Sequence, residues 1–474
     1  MRRLLKWLLL TICALTAVSA LVLAVGVSRP LDPIPQFGKR PKTLFITAVT
    51  LIDVERGITL PNQTVRIDKG RISAIADGDG PMMFGNAMVI DGRGKFLIPG
   101  LWDAHVHTLA MSDRLHFPLM LANGITSARN MGDGCSWVST LDCVPDAKQW
   151  QASAPAPHFS ATASYHIEKL ESGADARALV AALKTRGDTL IKIQLDEEED
   201  PDASKFKAIV KASAELRIAV AGHAPASANL IDPIYAALVS IEHDTQLMPH
   251  CPPRQLQKCD LLLKTLAQRG TAYVPTHVAS SGQEIALAQS AARDDAVLPY
   301  TSSAIGAVWQ FYRFLHGVGT DQADLVRYKS DHRAALDLTA RAHRAGVPIL
   351  AGTDALDPFV LHGAALHDEL AYLVRAGLSN ADALRAATVS PAQILGGAGQ
   401  SGTLAVGQSA DMVLLDSNPL SDISATKAID TVIAKGIVYD PQERAAMMAF
   451  VIRQASRFAV TARAWWSLLG LGAT

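Results

Sequence analysis

Short apolar runs alternate with amphipathic stretches through the middle of the chain. The runs have the length of buried strands, and most precede residues with helical spacing of apolar side chains, as in DARALVAALKTRG. Strands that alternate with helices indicate a parallel sheet, and eight alternations indicate a (β/α)8 TIM barrel. We therefore expect an α/β fold with this barrel over residues 99–400. The eight candidate strands are IPGLWDAHVH, GITSARNMG, APHFSATAS, TLIKIQLD, RIAVAGHA, ALVSIEHD, TAYVPTHV and GVPILAGTD.

The sequences on either side of this region are rich in β-branched residues. Residues 43–98 contain the runs TLFITAVTLID and QTVRIDKGRISAIA, and residues 401–440 contain ADMVLLD and TVIAKGIVYD. Gly and Asp separate these runs, which is typical of short strands joined by turns. We expect the two flanks to meet in one small composite β-sandwich domain, with the barrel inserted between its parts.

The N-terminus, residues 1–28, has the pattern of an export signal. Three basic residues among the first six precede an uncharged, apolar stretch from Trp7 to Val27. A small-residue pair inside the stretch favours a cleaved signal peptide, whereas its length of roughly 20 residues favours an uncleaved signal-anchor. Both alternatives predict an exported, periplasmic or secreted protein, and the second predicts anchoring to the inner membrane. A Pro-rich linker over residues 29–42 follows.

Charge and cysteine content narrow the class of protein. The chain of 474 residues carries 44 basic and 45 acidic residues, which gives no reason to expect a nucleic-acid partner. Four of the five cysteines form two local pairs with equal spacing in loop-like sequence. In an oxidising compartment these pairs predict the disulfides Cys135–Cys143 and Cys251–Cys259, with free thiols as the alternative.

The candidate strands end in residues that bind metals. His105 and His107 end the first strand, and because side chains alternate along a strand they point the same way. Two imidazoles on one face form half of a divalent metal site. Four of the eight strands end in histidine, which favours a metal centre over histidines satisfied in the core. The polar residues at the strand ends are His105, His107, Arg129, Lys192, His223, His243, His277 and Asp354.

With these motifs the chain resembles the amidohydrolase superfamily, and within it the imidazolonepropionase-like and prolidase-like branch. PGLWDAHVHT is similar to the family's first-strand H-x-H, and IKI to its fourth-strand lysine. AGHAP and SIEHD are similar to the fifth- and sixth-strand histidines, and LAGTD to the eighth-strand aspartate. The resemblance runs from Thr43 to Tyr439.

The resemblance implies a binuclear site with six ligands. The first metal would be held by His105, His107 and Asp354, the second by His223 and His243, and Lys192 would bridge both as a carboxylated lysine. A carbamate offers two anionic oxygens, whereas an unmodified lysine beside two cations would have to lose its charge. Zinc is the preferred cofactor for a site rich in histidine and carboxylate.

The implied reaction is hydrolysis of an amide or peptide C–N bond by a metal-bridging hydroxide. Asp354 would accept the proton of the hydroxide and pass it to the leaving group. Relatives of this branch act on dipeptides and N-acyl amino acids, so we expect a similar small-molecule substrate. Two alternatives stay open: a metal-dependent esterase or lactonase on the same site, and a non-catalytic binding protein that has kept the barrel.

Four further residues are candidates for contact with the substrate, by stabilising an oxyanion or binding a carboxylate. Packing within loops is the alternative for each of them. The four residues are Arg129, Tyr165, His166 and His277.

Two segments are additional to the strands and helices that a (β/α)8 barrel requires. The stretch 279–344 is too long for a normal crossover, and its aromatic residues suit either a cover over the site or a helical packing insert. Residues 441–474 form an apolar, helix-like tail that includes Arg453, Arg457, Arg463 and a Trp pair. The tail suits a membrane surface, packing on the barrel, or the interface of a homo-oligomer.

Overall fold

The computed structural model is an α/β protein. It describes residues 18–78, 84–109, 111–133, 155–160, 163–166, 170, 172–186, 188–195, 203–252, 254–280, 294–317, 321–396 and 400–468. The strands in these parts are β1 (Thr43–Asp53), β2 (Ile58–Asp68), β3 (Arg71–Asp77), β4 (Met88–Asp91), β5 (Phe96–Pro99), β6 (Leu101–Thr108), β7 (Ile125–Asp133), β8 (His158–Ser160), β9 (Ala163–His166), β10 (Leu190–Gln194), β11 (Ala219–Gly222), β12 (Leu238–Glu242), β13 (Ala272–Val274), β14 (Met412–Leu415), β15 (Ile429–Ala434) and β16 (Ile437–Tyr439).

Helices follow most of the central strands. The α-helices in the described parts are α1 (18–28), α2 (Ser112–Ala122), α3 (Ala176–Arg186), α4 (Ala203–Leu216), α5 (Asp244–Leu247), α6 (Leu256–Arg269), α7 (Asp294–Val297), α8 (Ser303–Gly317), α9 (Gln322–Arg344), α10 (Ala364–Arg375), α11 (Asn380–Ala386), α12 (Val389–Ile394), α13 (Pro441–Ala455) and α14 (Phe458–Leu468).

The central strands form two parallel sheets, in the orders β6-β7-β8 and β13-β12-β11-β10-β9. Their residues are buried on both faces, as β10 illustrates, which explains why these strands read as continuous apolar runs. The extended segment 347–355 lies between the two sheets. The amide of Ala104 in β6 donates to Ala351 O (2.8 Å), and the amide of Leu350 donates to Tyr273 O in β13 (3.0 Å).

Strands from both flanks pair in a single mixed sheet of eight strands. The order is β16-β15-β14-β5-β1-β2-β3, with β4 beside β1, and the join is the antiparallel pair β5–β14. One face of the sheet buries an aliphatic core that includes Leu44, Val65, Leu97, Met412 and Ile433. Within the described residues these strands form one sheet with its own core.

The described parts of the two extra segments are mainly helical. The first contains α7, α8 and α9. Helix α8 packs against residues that follow β6 and residues that follow the segment 347–355. In the tail, α13 packs on the body of the protein, where the Phe450 ring meets Phe37 at 5.6 Å. Among the residues that the structure describes, no helix combines the length and hydropathy that a membrane span requires.

The disulfide Cys251–Cys259 is present, which confirms that prediction. It joins the turn after α5 to the first turns of α6. Cys135 and Cys143 lie outside the described residues.

Candidate metal centre

Strand β6 and the segment 347–355 place three predicted ligands together. The amide of Asp354 donates to His105 O (2.8 Å), which fixes the carboxylate beside the imidazoles of β6. Asp354 Oδ1 lies 3.2 Å from His105 Nε2 and 2.9 Å from His107 Nε2. Gly352 permits this approach, since a Cβ at this position would lie 2.8 Å from His105 Cβ.

The other nitrogen of each β6 histidine is held by an oxygen that can only accept a hydrogen bond. His105 Nδ1 donates to Glu242 Oε2 (2.8 Å), and His107 Nδ1 donates to Gly132 O (2.9 Å). Each ring therefore carries its proton on Nδ1 and its lone pair on Nε2, facing Asp354. A metal-binding histidine needs this arrangement, because the hydrogen bond fixes both the tautomer and the orientation of the ring.

Glu242 is a functional residue that the strand-end pattern missed. Burial alone would raise the pKa of its carboxyl, but Arg129 and His105 outweigh this and hold the pKa at about 2. The Arg129 guanidinium donates to both Glu242 oxygens (2.8 and 2.9 Å) and to Ser240 Oγ (2.9 Å). Glu242 is therefore an anion at neutral pH, and it orients His105.

Arg129 has a different role from the substrate contact that the sequence suggested. Besides its bonds to Glu242 and Ser240, its Nε donates to Ala104 O (2.6 Å), and the residue is fully buried. The guanidinium is thus engaged inside the protein. The structure gives Arg129 a positioning role, as the counter-ion that keeps Glu242 charged.

Lys192 lies inside the same cluster. It is buried on β10, and its Nζ is 3.1 Å from His105 Nε2. Within the described part of the chain it has no salt-bridge partner, although Asp354 and Glu242 act on it electrostatically. Burial lowers the pKa of its ammonium from the ordinary value. The neutral amine is therefore easier to form at Lys192 than at a solvent-exposed lysine.

In the second predicted pair of ligands, His223 and His243, the two rings have different kinds of hydrogen-bond partner. His243 Nδ1 is 2.9 Å from Thr276 Oγ1 and 3.4 Å from Asp354 Oδ2. The His223 ring stands 4.9 Å from that of His243, and its Nδ1 accepts a hydrogen bond from the Leu195 amide (3.1 Å). Its Nε2 is buried with no hydrogen-bond partner among the described residues. Burial lowers the pKa of His223 to about 3 and that of His243 well below the ordinary value, so both imidazoles are neutral.

Three residues at this edge adopt a backbone conformation that costs energy. His243, Thr276 and Asp354 have φ values of 68°, 51° and 57°. Residues with a Cβ rarely occupy the left-handed region, at a cost of order 1–3 kcal/mol each, and such strain clusters at functional sites. The surrounding structure therefore holds these residues in place against a local preference.

His277, Tyr165 and His166 complete the predicted set. His277 is fully buried, with Nδ1 2.9 Å from Asp244 Oδ2 and Nε2 2.9 Å from Thr339 Oγ1. Both ring nitrogens are therefore occupied by the protein, which makes His277 a packing and positioning residue here. Tyr165 and His166 end β9, which pairs with β10, and their side chains lie outside the described residues.

The donor set fits a divalent cation. One ligand atom from each of His105, His243 and Asp354 lies within 4.8 Å of the others, and all three residues are buried. Neutral imidazoles and an ionised carboxylate are donors that zinc and similar ions accept. The imidazole of His223 and the Nζ of Lys192 extend this set on the side of β10 and β11.

Comparison with known proteins assigns the family. The model of the amidohydrolase family matches residues 96–438, a range that contains the whole cluster. The chain therefore belongs to the amidohydrolase family. An adenine deaminase of Paracoccus denitrificans is 31% identical over 70 residues, which is 15% of this chain and 12% of that protein. The chain thus spans a small part of the length of the curated relatives it matches.

Solved structures resemble the chain over nearly its whole length. A prolidase-like protein of Bifidobacterium longum superposes with a TM-score of 0.61 at 25% identity, covering 87% of this chain and 100% of that one. A bottromycin amidohydrolase superposes with a TM-score of 0.67 at 21% identity, covering 93% of this chain and 95% of that one. These similarities confirm the α/β fold and the amidohydrolase resemblance.

Proposed function

We propose that this chain is an exported, binuclear metal-dependent amidohydrolase of small amides, such as N-acyl amino acids or dipeptides. The observation that carries the proposal is the approach of His105 Nε2 and His107 Nε2 to Asp354 Oδ1, at 3.2 and 2.9 Å. Similarity to a prolidase-like protein and to an amidohydrolase supports the substrate class. The disulfide Cys251–Cys259 supports export, because disulfides persist in oxidising compartments.

The proposed site would hold two divalent ions, with zinc preferred for these ligands. Three residues would hold one ion, two would hold the other, and a carboxylated lysine would serve both. The ligands are, in that order, His105, His107 and Asp354, then His223 and His243, and the bridge Lys192. When bound, the ions supply Lewis acidity that makes water nucleophilic at neutral pH and polarises the scissile carbonyl.

Carboxylation of Lys192 fits its surroundings. The neutral amine forms an N–C bond to carbon dioxide and releases one proton, which leaves an anionic carbamate. The Nζ is buried 3.1 Å from His105 Nε2, with no salt-bridge partner among the described residues. A carbamate would turn this position from a repelled cation into a pair of anionic donors facing the neutral imidazoles.

Asp354 is the proposed catalytic residue. Its Oδ1 lies 3.2 Å from His105 Nε2 and 2.9 Å from His107 Nε2, among the proposed ligands of the first ion. It is placed to accept the proton of the attacking water and to return it to the leaving amine. Tyr165 and His166, at the end of β9, are the proposed substrate contacts.

We extend the proposal to the architecture. The two parallel sheets and the segment 347–355 would close into the (β/α)8 barrel, and the eight-stranded mixed sheet would curl into a composite sandwich. Hydrogen bonds from β6 and β13 to that segment support closure. A closed barrel would bring the strand ends that carry the ligands to one rim.

A hydrolysis screen tests the function. Zinc-loaded protein is assayed on N-acyl amino acids, dipeptides and lactones of matched size, and then again after chelation. We expect amide cleavage that disappears on chelation and returns with metal. Preference for the lactones would instead identify an esterase, and no metal uptake would identify a binding protein.

A further inference from the structure

Three helices without acidic residues meet on one side of the molecule. A side chain at Gly26 of α1 would collide with Ala462 of α14, so the two helices touch closely. The Arg29 guanidinium lies 5.5 Å from the centre of the Phe458 ring, and Arg463 donates to Arg29 O (3.0 Å). Helix α8 packs on α14 from the other side. We call the outer surface of α1, α8 and α14 the helical face.

The helical face exposes large apolar side chains to an unusual extent. Phe311 and Phe314 on α8 are 62% and 64% exposed, although the opposite side of the same helix is buried. Neighbouring apolar side chains of α1, α8 and α14 continue this surface. They include Leu21, Val25, Val308, Leu315 and Phe458. Large apolar side chains exposed together on one helix, as Phe311 and Phe314 are, mark a binding surface rather than ordinary exposure.

Basic residues outnumber acidic ones around the helical face, where Arg457 pairs with Asp32 (2.8 Å). The segments 18–31, 303–317 and 444–468 contain no Asp or Glu and six Arg. Trp465 and Trp466 lie at the end of α14, partly buried. Aromatic side chains and arginines beside apolar surface are typical of segments that rest among lipid headgroups, and a basic margin is attracted to anionic phospholipids.

The chain before α1 points to the same partner. The sequence from Trp7 to Ala17 precedes α1 directly and carries no charge, whereas three basic residues stand before it. The helical face is therefore continuous in sequence with an apolar segment that suits the interior of a bilayer.

We propose that the helical face docks on a bilayer containing anionic phospholipids. The contact involves α1, α8 and α14. It does not rest on the proposed hydrolysis.

Docking would bring the bilayer close to the candidate site. On the buried side of α8, Trp309 Nε1 donates to Leu356 O (3.2 Å), and its ring packs on Phe359 at 5.5 Å. Leu356 lies two residues after Asp354. A single helix therefore separates the helical face from the segment that carries a proposed ligand.

The test must report on α8 itself, because the N-terminal segment alone could hold the full chain on vesicles. A cysteine is introduced by Phe314→Cys and labelled with an environment-sensitive fluorophore. The matched control is Leu261→Cys on α6, which is 54% exposed and belongs to a different surface. The unsubstituted chain, with the same native cysteines, supplies the background. Vesicles contain equimolar phosphatidylethanolamine and phosphatidylglycerol, with some nitroxide-labelled lipid as quencher.

With these vesicles we expect a blue shift and quenching at position 314 and neither at position 261. Arg29→Gln should weaken the response by about fivefold on anionic vesicles and leave it unchanged on phosphatidylcholine. An equal response at both positions, or none at 314, overturns the proposal. A response that follows protein concentration without vesicles also overturns it, since a second copy would then cover the face.

Discussion

The two pairs of histidines in the candidate site differ in what holds their rings. In the first half-site (His105 and His107), each Nδ1 donates to an oxygen that can only accept, so each Nε2 directs a lone pair toward Asp354. In the second half-site (His223 and His243), His223 Nδ1 accepts from a backbone amide, and His243 Nδ1 faces a hydroxyl that can donate or accept. The rings of the first half-site are therefore already oriented for binding a cation. In the second half-site, ligation through His223 Nδ1 requires the hydrogen bond from the Leu195 amide to break.

The change that affects both halves should have the largest effect. Asp354 lies 3.2 Å from His105, 2.9 Å from His107 and 3.4 Å from His243. Asp354→Asn removes the proton acceptor and one anionic ligand, so kcat/KM for the best amide substrate should fall by about 10²- to 10⁴-fold or more. Asp368→Asn, an exposed substitution elsewhere, should leave kcat/KM unchanged. Full activity of Asp354→Asn would contradict the proposed role.

Metal removal tests the difference between the halves directly. In a chelator titration we expect the ions to leave in two steps, with the ion of the first half-site held more tightly. His223→Ala should abolish the weaker step and preserve the stronger one. His107→Ala should weaken the stronger step by more than the roughly 10- to 100-fold that losing a ligand's hydrogen-bond partner costs. Metal content by mass spectrometry measures both, and equal losses in the two variants would contradict the asymmetry.

A smaller effect is expected from a change at Glu242, which orients His105 of the first half-site through its Nδ1. Glu242→Gln keeps the shape of the side chain but removes the charge that His105 and Arg129 both contact. Metal affinity should fall by about 10- to 100-fold, because the carboxylate raises the basicity of the ligand. The metal-free protein should also lose on the order of 3–5 kcal/mol of stability, because Arg129 is left as an unpaired buried charge.

A double variant separates these two consequences. Arg129→Met together with Glu242→Gln removes both buried charges, so the free energy of unfolding should recover much of its loss. Metal affinity should stay low, because His105 still lacks its anionic partner. Recovery of affinity along with stability would show that Glu242 acts only through the fold.

The strand-end pattern located most of the cluster because alternation along a strand and the common rim of parallel strands are local rules. It did not identify Glu242, although an acidic residue inside the apolar run ALVSIEHD was a signal that a buried partner must exist. That partner, Arg129, is 113 residues away in the chain, so no local rule connects them. The hydrogen bond from the Leu195 amide to His223 could not be predicted from the sequence either, because every residue except proline carries the same amide.

In the fold, too, local features could be predicted from the sequence and contacts between distant residues could not. Strands were visible as apolar runs, and strands from the two flanks do pair, through β5 and β14. Whether eight strands form one sheet or two stacked sheets depends on distant pairings that periodicity does not encode.

The smallest expected effect concerns the support of the second half-site. Thr276, which contacts His243 Nδ1, lies two residues before Val278, whose amide donates to Glu369 Oε2 (2.9 Å). Burial raises the pKa of Glu369 from 4.5 to about 7, and the nearby His277 only partly opposes this. The folded protein therefore holds this proton more tightly than the unfolded chain does.

The stabilising contribution of protonated Glu369 is complete below about pH 4.5 and is lost as the pH rises through about 7. In that window the free energy of unfolding of the metal-free protein should fall by up to about 1.4 kcal/mol per pH unit. Glu369→Gln should remove this part of the slope in urea unfolding, and Asp368→Asn should keep it. An unchanged slope in Glu369→Gln would mean that the carboxyl is already ionised in the folded protein. Glu242 and Glu369 would then both be anions. We expect instead that Glu242 supports the first half-site as an anion and that Glu369 supports the second as a neutral acid.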